Sequence, residues 1–135
     1  MKITVDTNVL LCAALDDDEA QQQVAIETLE TADIVAISAQ SLWEFAWVLA
    51  RGYKTARAEI AAAIRRLLDM HNVVVNRPAV EAGLRVLVVG GNFADGVIAY
   101  HGNWLGGETF VSFDKKAVSL IARQGQQANL LTAPT

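Results

Sequence analysis

Lys2-Ile3-Thr4-Val5-Asp6-Thr7-Asn8-Val9-Leu10 is the stretch that decides how this chain is read. Residues 2–5 are short and β-prone, since Ile, Thr and Val suit a pleated, half-buried surface. The run stops at Asp6, and residues 7–14 read as a helix. A carboxylate therefore stands where a strand hands over to a helix. The same alternation continues outward. Residues 18–32 read as a second helix, and Ile34-Val35-Ala36-Ile37 suits a strand buried on both faces of a parallel sheet. Ser38 or Ser41 starts a helix that runs to about Arg51 and stops at Gly52. Residues 55–70 form another, with Ile60, Ile64, Leu67 and Leu68 on one side. Val73-Val74-Val75 is a strand, and Pro78 suits the first turn of a helix ending near Gly90-Gly91. Asn92 opens a helix through about His101, residues 109–113 form a strand, 115–123 a helix, and 129–131 a last strand.

Strands alternating with helices need crossover connections, which predicts a three-layer α/β domain with a mainly parallel sheet. Residues 1–135 read as one such domain, with no repeat, linker or low-complexity tract. In these sheets ligands bind beyond the carboxyl ends of the strands. Residues leaving the strands are therefore the candidates for chemistry.

Four acids occupy such places. Asp6 ends the first strand. Glu44 lies in Ser41-Leu42-Trp43-Glu44-Phe45-Ala46-Trp47, in what reads as the first turn of an apolar helix. Asp95 lies in Asn92-Phe93-Ala94-Asp95-Gly96, and Asp114 follows the strand Phe110-Val111-Ser112-Phe113. Each taken singly has a capping reading. Ser41-x-x-Glu44 has the form of a capping box, Asn92-x-x-Asp95 resembles one, and Asp6, Asn8 or Asp114 can be N-caps. Taken together, the four are expected to converge at one edge of the sheet. Clustered carboxylates raise one another's pKa, and a divalent cation relieves that repulsion. Oxygen-only ligands select Mg²⁺ or Mn²⁺ over zinc. His71 is expected at a helix end and His101 on a solvated face, so neither enters this set.

Composition sets the background. The chain has 135 residues, enough for a hydrophobic core, and Cys12 is its only cysteine, which leaves no intramolecular disulfide or thiolate cage. No uncharged apolar run is long enough to cross a bilayer, and the early Asp6 argues against a signal peptide, so a cytoplasmic protein is expected. The formal charge is -4, unlike a typical nucleic-acid binder. Its distribution is more informative. Residues 3–50 contain nine acids and no Lys or Arg, whereas residues 51–135 contain ten basic residues against six acids. That asymmetry suits an acidic, cation-requiring pocket bordered by a basic surface. The run Asp16-Asp17-Asp18-Glu19 is better read as the start of a surface helix.

On these residues the chain resembles the PIN-domain family, and within it the VapC-type toxin ribonucleases. The resemblance rests on Asp6-Thr7-Asn8-Val9-Leu10, on Glu44 in Leu42-Trp43-Glu44-Phe45, on Asp95-x-x-Ile98-Ala99, and on Phe110-Val111-Ser112-Phe113-Asp114-Lys115-Lys116-Ala117. It implies about five parallel strands, with Asp6, Glu44, Asp95 and Asp114 around one or two Mg²⁺ or Mn²⁺ ions. It also implies single-stranded RNA as substrate (a tRNA or rRNA loop), a VapB-type antitoxin as partner, and a homodimer. Two positions depart from the family pattern. Ser112 stands where threonine is common and keeps the hydroxyl, and Gly96 replaces a frequent alanine, which is expected to loosen that helix start.

Metal-assisted hydrolysis needs no histidine base. Asn8 and Ser112 are expected to orient the acids or a phosphate. Lys115, Lys116 and Arg51, with Lys54 and Arg57, are candidates for RNA contact. Trp43 and Trp47 are read as core or dimer packing in preference to base stacking, and Trp104 has no assignment. A haloacid-dehalogenase-like phosphatase needs a second acid two residues after the first, where this chain has Asn8. A response-regulator receiver needs paired acids that are absent here. A non-cutting PIN-like module that binds RNA or a partner is the non-enzymatic alternative, although such modules usually lose an acid.

Overall fold

The computed structural model describes residues 1–134, which divide into two compact units, residues 1–76 and residues 77–134. The first unit runs β1 (Lys2–Thr4), α1 (Thr7–Ala14), α2 (Glu19–Thr31), β2 (Ile34–Ala36), α3 (Ala39–Gly52), α4 (Arg57–Asp69) and β3 (Val73–Val74). The second runs α5 (Arg77–Val88), α6 (Phe93–Trp104), β4 (Thr109–Ser112), α7 (Lys115–Arg123) and β5 (Gln127–Leu130). The chain is thus mixed α/β, and every strand pairing among the described residues is parallel. The five strands form a three-stranded ladder, β1-β2-β3, and a two-stranded ladder, β4-β5.

In the first unit Lys2 pairs with Ile34 and Thr4 with Ala36, while Val35 pairs with Val73. This register carries the chain past the strand ends together. The Ile37 amide still donates to the Val74 carbonyl at 3.0 Å, and helix α3 starts immediately afterwards at the Ser38 cap. Asp6 and the start of α3 therefore leave the same edge of the sheet. Leu10, Val35, Leu42, Phe45, Ile60 and Ile64 are fully buried. Val35 is the one completely covered residue of β2, with Ile34 and Ala36 only partly covered, so that strand is less enclosed than its apolar run suggests. Asn72 is the buried polar residue of this unit. Its side-chain amide donates to the Leu29 and Ala32 carbonyls at 2.7 and 2.9 Å, tying the end of α2 to the start of β3.

In the second unit Val86, Ala99, Leu120 and Ile121 form a buried cluster against which Phe110 and Ala128 pack. Helices α5 and α6 approach closely. A Cβ added at Gly96 would collide with the Ala82 carbonyl, and one at Gly83 would meet the Phe93 ring. The expectation that Gly96 loosens its helix is therefore wrong. The missing side chain is what lets the two helices touch.

Candidate active site

Asp6 and Asp114 are both helix N-caps, as their capping reading anticipates. Asp6 Oδ1 accepts from the Val9 amide at 3.3 Å, and Asp114 Oδ1 accepts from the Ala117 amide at 3.1 Å. Each cap bond is made to Oδ1 and leaves Oδ2 for another partner, so capping does not use up the carboxylate. The Ser112 hydroxyl accepts from the Asp114 amide at 2.9 Å, which fixes the backbone turn that presents Asp114.

Glu44 is different. The cap of α3 is Ser38, whose hydroxyl accepts from the Ser41 amide at 3.0 Å. Glu44 therefore lies in the second turn and makes no capping box with Ser41, correcting the sequence reading. Its carboxylate is held elsewhere. The Thr7 hydroxyl, on α1, donates to Glu44 Oε2 at 3.0 Å, and Gln40 Nε2 donates to Oε1 at 3.4 Å. Sequence reasoning singled out Asn8, yet Asn8 lines a groove of about 480 Å³ between α1 and α2 together with Val9, Cys12 and Val24. Thr7 is the neighbour of Asp6 that reaches another acid. Its partner is 37 residues away, and only the β1-β2 register brings the two helix starts together.

Asp95 lies in the first turn of α6, behind Asn92, which offers no side-chain cap. Its carboxyl is pushed above the ordinary carboxylate value, first by burial and then by the charge of Asp114. The second unit thus holds two interacting acids, and among the described residues no cation pairs with either. The first unit holds a second pair, Asp6 and Glu44, linked through Thr7. Among the described residues no group of three or more His, Cys, Asp or Glu side chains stands ready to hold a metal ion. The donors within each unit nonetheless suit a hard divalent cation: they are anionic oxygens with free lone pairs, and the Asp95–Asp114 repulsion is the kind that such a cation relieves.

The neighbouring charges sort themselves. Asp18 caps α2 by accepting from the Gln21 amide at 3.1 Å, and Asp17 accepts from the Tyr53 hydroxyl at 2.6 Å. The Asp16–Glu19 run is thus a helix start, as read from the sequence. Arg51 lies in the last turn of α3, where the helix dipole favours a cation. Lys115 and Lys116 lie in the first turn of α7, where the dipole disfavours cations. Helix stability therefore does not account for them. Trp43 and Trp47 are 40% and 57% exposed, which rules out core packing, and Trp104 is 75% exposed. Among the described residues no helix is long and apolar enough to cross a membrane.

The sequence model of one family, the PIN domain, matches residues 3–123 and so takes in both units and all four acids. A search of curated proteins returned no match.

Proposed function

The chain belongs to the PIN domain family, whose members are generally nucleases, and from that premise we propose that it is a metal-dependent endoribonuclease. The observation that carries the reading is Asp95, a half-buried carboxyl beside Asp114 whose ionisation is disfavoured in the absence of a cation. Asp114 caps α7, but among the described residues the Asp95 carboxyl gains no cap bond or ion pair in return, so folding alone does not account for it. It is useful where a divalent cation is to be held next to a phosphodiester.

In this proposal Asp6, Glu44, Asp95 and Asp114 are the ligands of Mg²⁺ or Mn²⁺, directly or through water. When bound, such a cation supplies Lewis acidity that makes water nucleophilic near neutral pH and offsets charge on the phosphate. Ser112 fixes the turn that presents Asp114, and Thr7 and Gln40 orient Glu44. Lys115 and Lys116 meet the RNA backbone, with Arg51 as a further contact, since cations at a helix start call for an anionic partner. Residues 1–135 act as one functional domain, supported by the single family match across both units. The finer setting is the toxin of a VapC-type pair, in the cytoplasm, cleaving a tRNA or rRNA loop. Its partners would be a VapB-type antitoxin and a second copy of the chain, and the exposed Trp43 and Trp47 are available for such contacts.

The test is cleavage of structured and single-stranded RNA. Activity should require Mg²⁺ or Mn²⁺, stop on chelation and leave 5′-phosphate and 3′-hydroxyl ends. It should vanish in Asp6→Asn, which keeps the capping oxygen because asparagine is an equally good N-cap. Metal-free cleavage, 2′,3′-cyclic phosphate ends, or an active Asp6→Asn protein would each overturn the proposal.

A further inference from the structure

Thr7 is the first residue of α1 and is half-buried. Here its hydroxyl crosses to α3 and donates to Glu44 Oε2 at 3.0 Å, with the Ser41 carbonyl at the limit of reach, 3.5 Å. A hydroxyl carries one proton, so it serves one acceptor at a time, and the shorter, charge-assisted bond to the carboxylate wins. Gln40 approaches the other oxygen from one turn earlier on α3. Held at both oxygens, the Glu44 carboxylate loses rotation about its last bond. Each oxygen nonetheless keeps a free lone pair.

We propose that Thr7 is a positioning residue for Glu44, so that the dipeptide Asp6-Thr7 supplies one metal ligand and aims a second. The inference rests on the metal-dependent reading above and adds a residue and a role to it. Two features separate this role from a structural one. The bond lies at the surface, with Glu44 exposed, so its net contribution to folding is small. Conformational restriction of a ligand, by contrast, acts directly on metal affinity, and loss of such an orienting partner typically weakens binding about 10–100-fold. With Gln40 still in place, the low end of that range is expected.

The experiment compares the full-length wild type with Thr7→Val, which keeps the branched shape and removes the hydroxyl, and Thr7→Ser, which keeps the hydroxyl. Mn²⁺ binding is followed by calorimetry, thermal unfolding is recorded in chelator, and kcat and KM are measured on RNA. Thr7→Val should bind Mn²⁺ about tenfold more weakly, unfold at the wild-type temperature without metal, and lose kcat with KM little changed. Thr7→Ser should restore Mn²⁺ affinity to within about twofold of wild type. Wild-type Mn²⁺ affinity in Thr7→Val would overturn the positioning role alone, as would equal losses in both variants or a lowered metal-free unfolding temperature. A wild-type protein that binds no Mn²⁺ would overturn the metal reading itself, and this inference with it.

Discussion

At Asp95, burial and the charge of Asp114 both favour the protonated carboxyl, so ionising it works against folding. Because the folded value is raised, the group's favourable contribution is complete below 3.8, its ordinary value, and is lost as pH rises through the raised value. At neutral pH the metal-free protein carries the full cost. Replacing the carboxyl by an amide should therefore stabilise the metal-free fold. Asp95→Asn is expected to raise the unfolding temperature at pH 7 in chelator, with the gain shrinking on acidification and disappearing below pH 3.8, while RNA cleavage is lost. Scanning calorimetry across pH checks this, and an unchanged or lowered unfolding temperature at pH 7 contradicts it. Asp6 should behave otherwise. Its carboxylate caps α1, so an asparagine there keeps the cap and leaves metal-free stability nearly unchanged. Asp114→Asn keeps its cap and also removes the charge that opposes ionised Asp95, a smaller gain of the same sign.

At the scale of elements, the α5–α6 contact is the most demanding feature of the second unit. Gly96 faces the Ala82 backbone and not a flexible side chain, so a methyl group there can be accommodated only by separating the helices. Gly96→Ala should cost about 1–3 kcal/mol, as overpacking does, despite alanine's better helix propensity. Urea unfolding would read this directly, and a neutral or stabilising result would show that the helices can move apart freely. Such close approach was not legible in the sequence, where a glycine after Asp95 looks only like a poor helix former. Much else was legible, because apolar runs and helix caps are local signals. The strand at residues 34–36, the stop at Gly52 and the cap at Asp114 need no knowledge of partners. Glu44 marks the limit of local reasoning. Ser41-x-x-Glu44 matches a capping box, yet Ser38 takes the cap and Glu44 turns to Thr7 across the sheet edge. The competing serine lies only three residues upstream, and the sequence alone does not say which one the helix uses. The link from Thr7 to Glu44 depends on the parallel register of β1 and β2, a long-range property that no window of sequence contains.

For the whole molecule, the net charge of -4 is the sum of an acidic N-terminal stretch, which holds Asp6 and Glu44, and a basic remainder, which holds Asp95 and Asp114. The repulsion between Asp95 and Asp114 is a liability in the metal-free chain, and a bound divalent cation would offset it. Ligand binding to the folded state alone stabilises it by an amount set by concentration over Kd, about 2.7 kcal/mol at a hundredfold excess over Kd. For a chain of this size that corresponds to a rise of about 10 °C in unfolding temperature. Mn²⁺ or Mg²⁺ should therefore raise the unfolding temperature of the wild type progressively. Ca²⁺, which prefers more ligands at longer distances, should do so less well. Asp6→Asn and Asp114→Asn should each flatten the response without lowering the metal-free starting point. Asp95→Asn should start higher and respond least, because it removes a ligand and relieves the repulsion in one step. Parallel upward shifts in wild type and all three variants would mean that the cations act on the acidic surface at large, through screening, and that these carboxylates are not the metal's ligands.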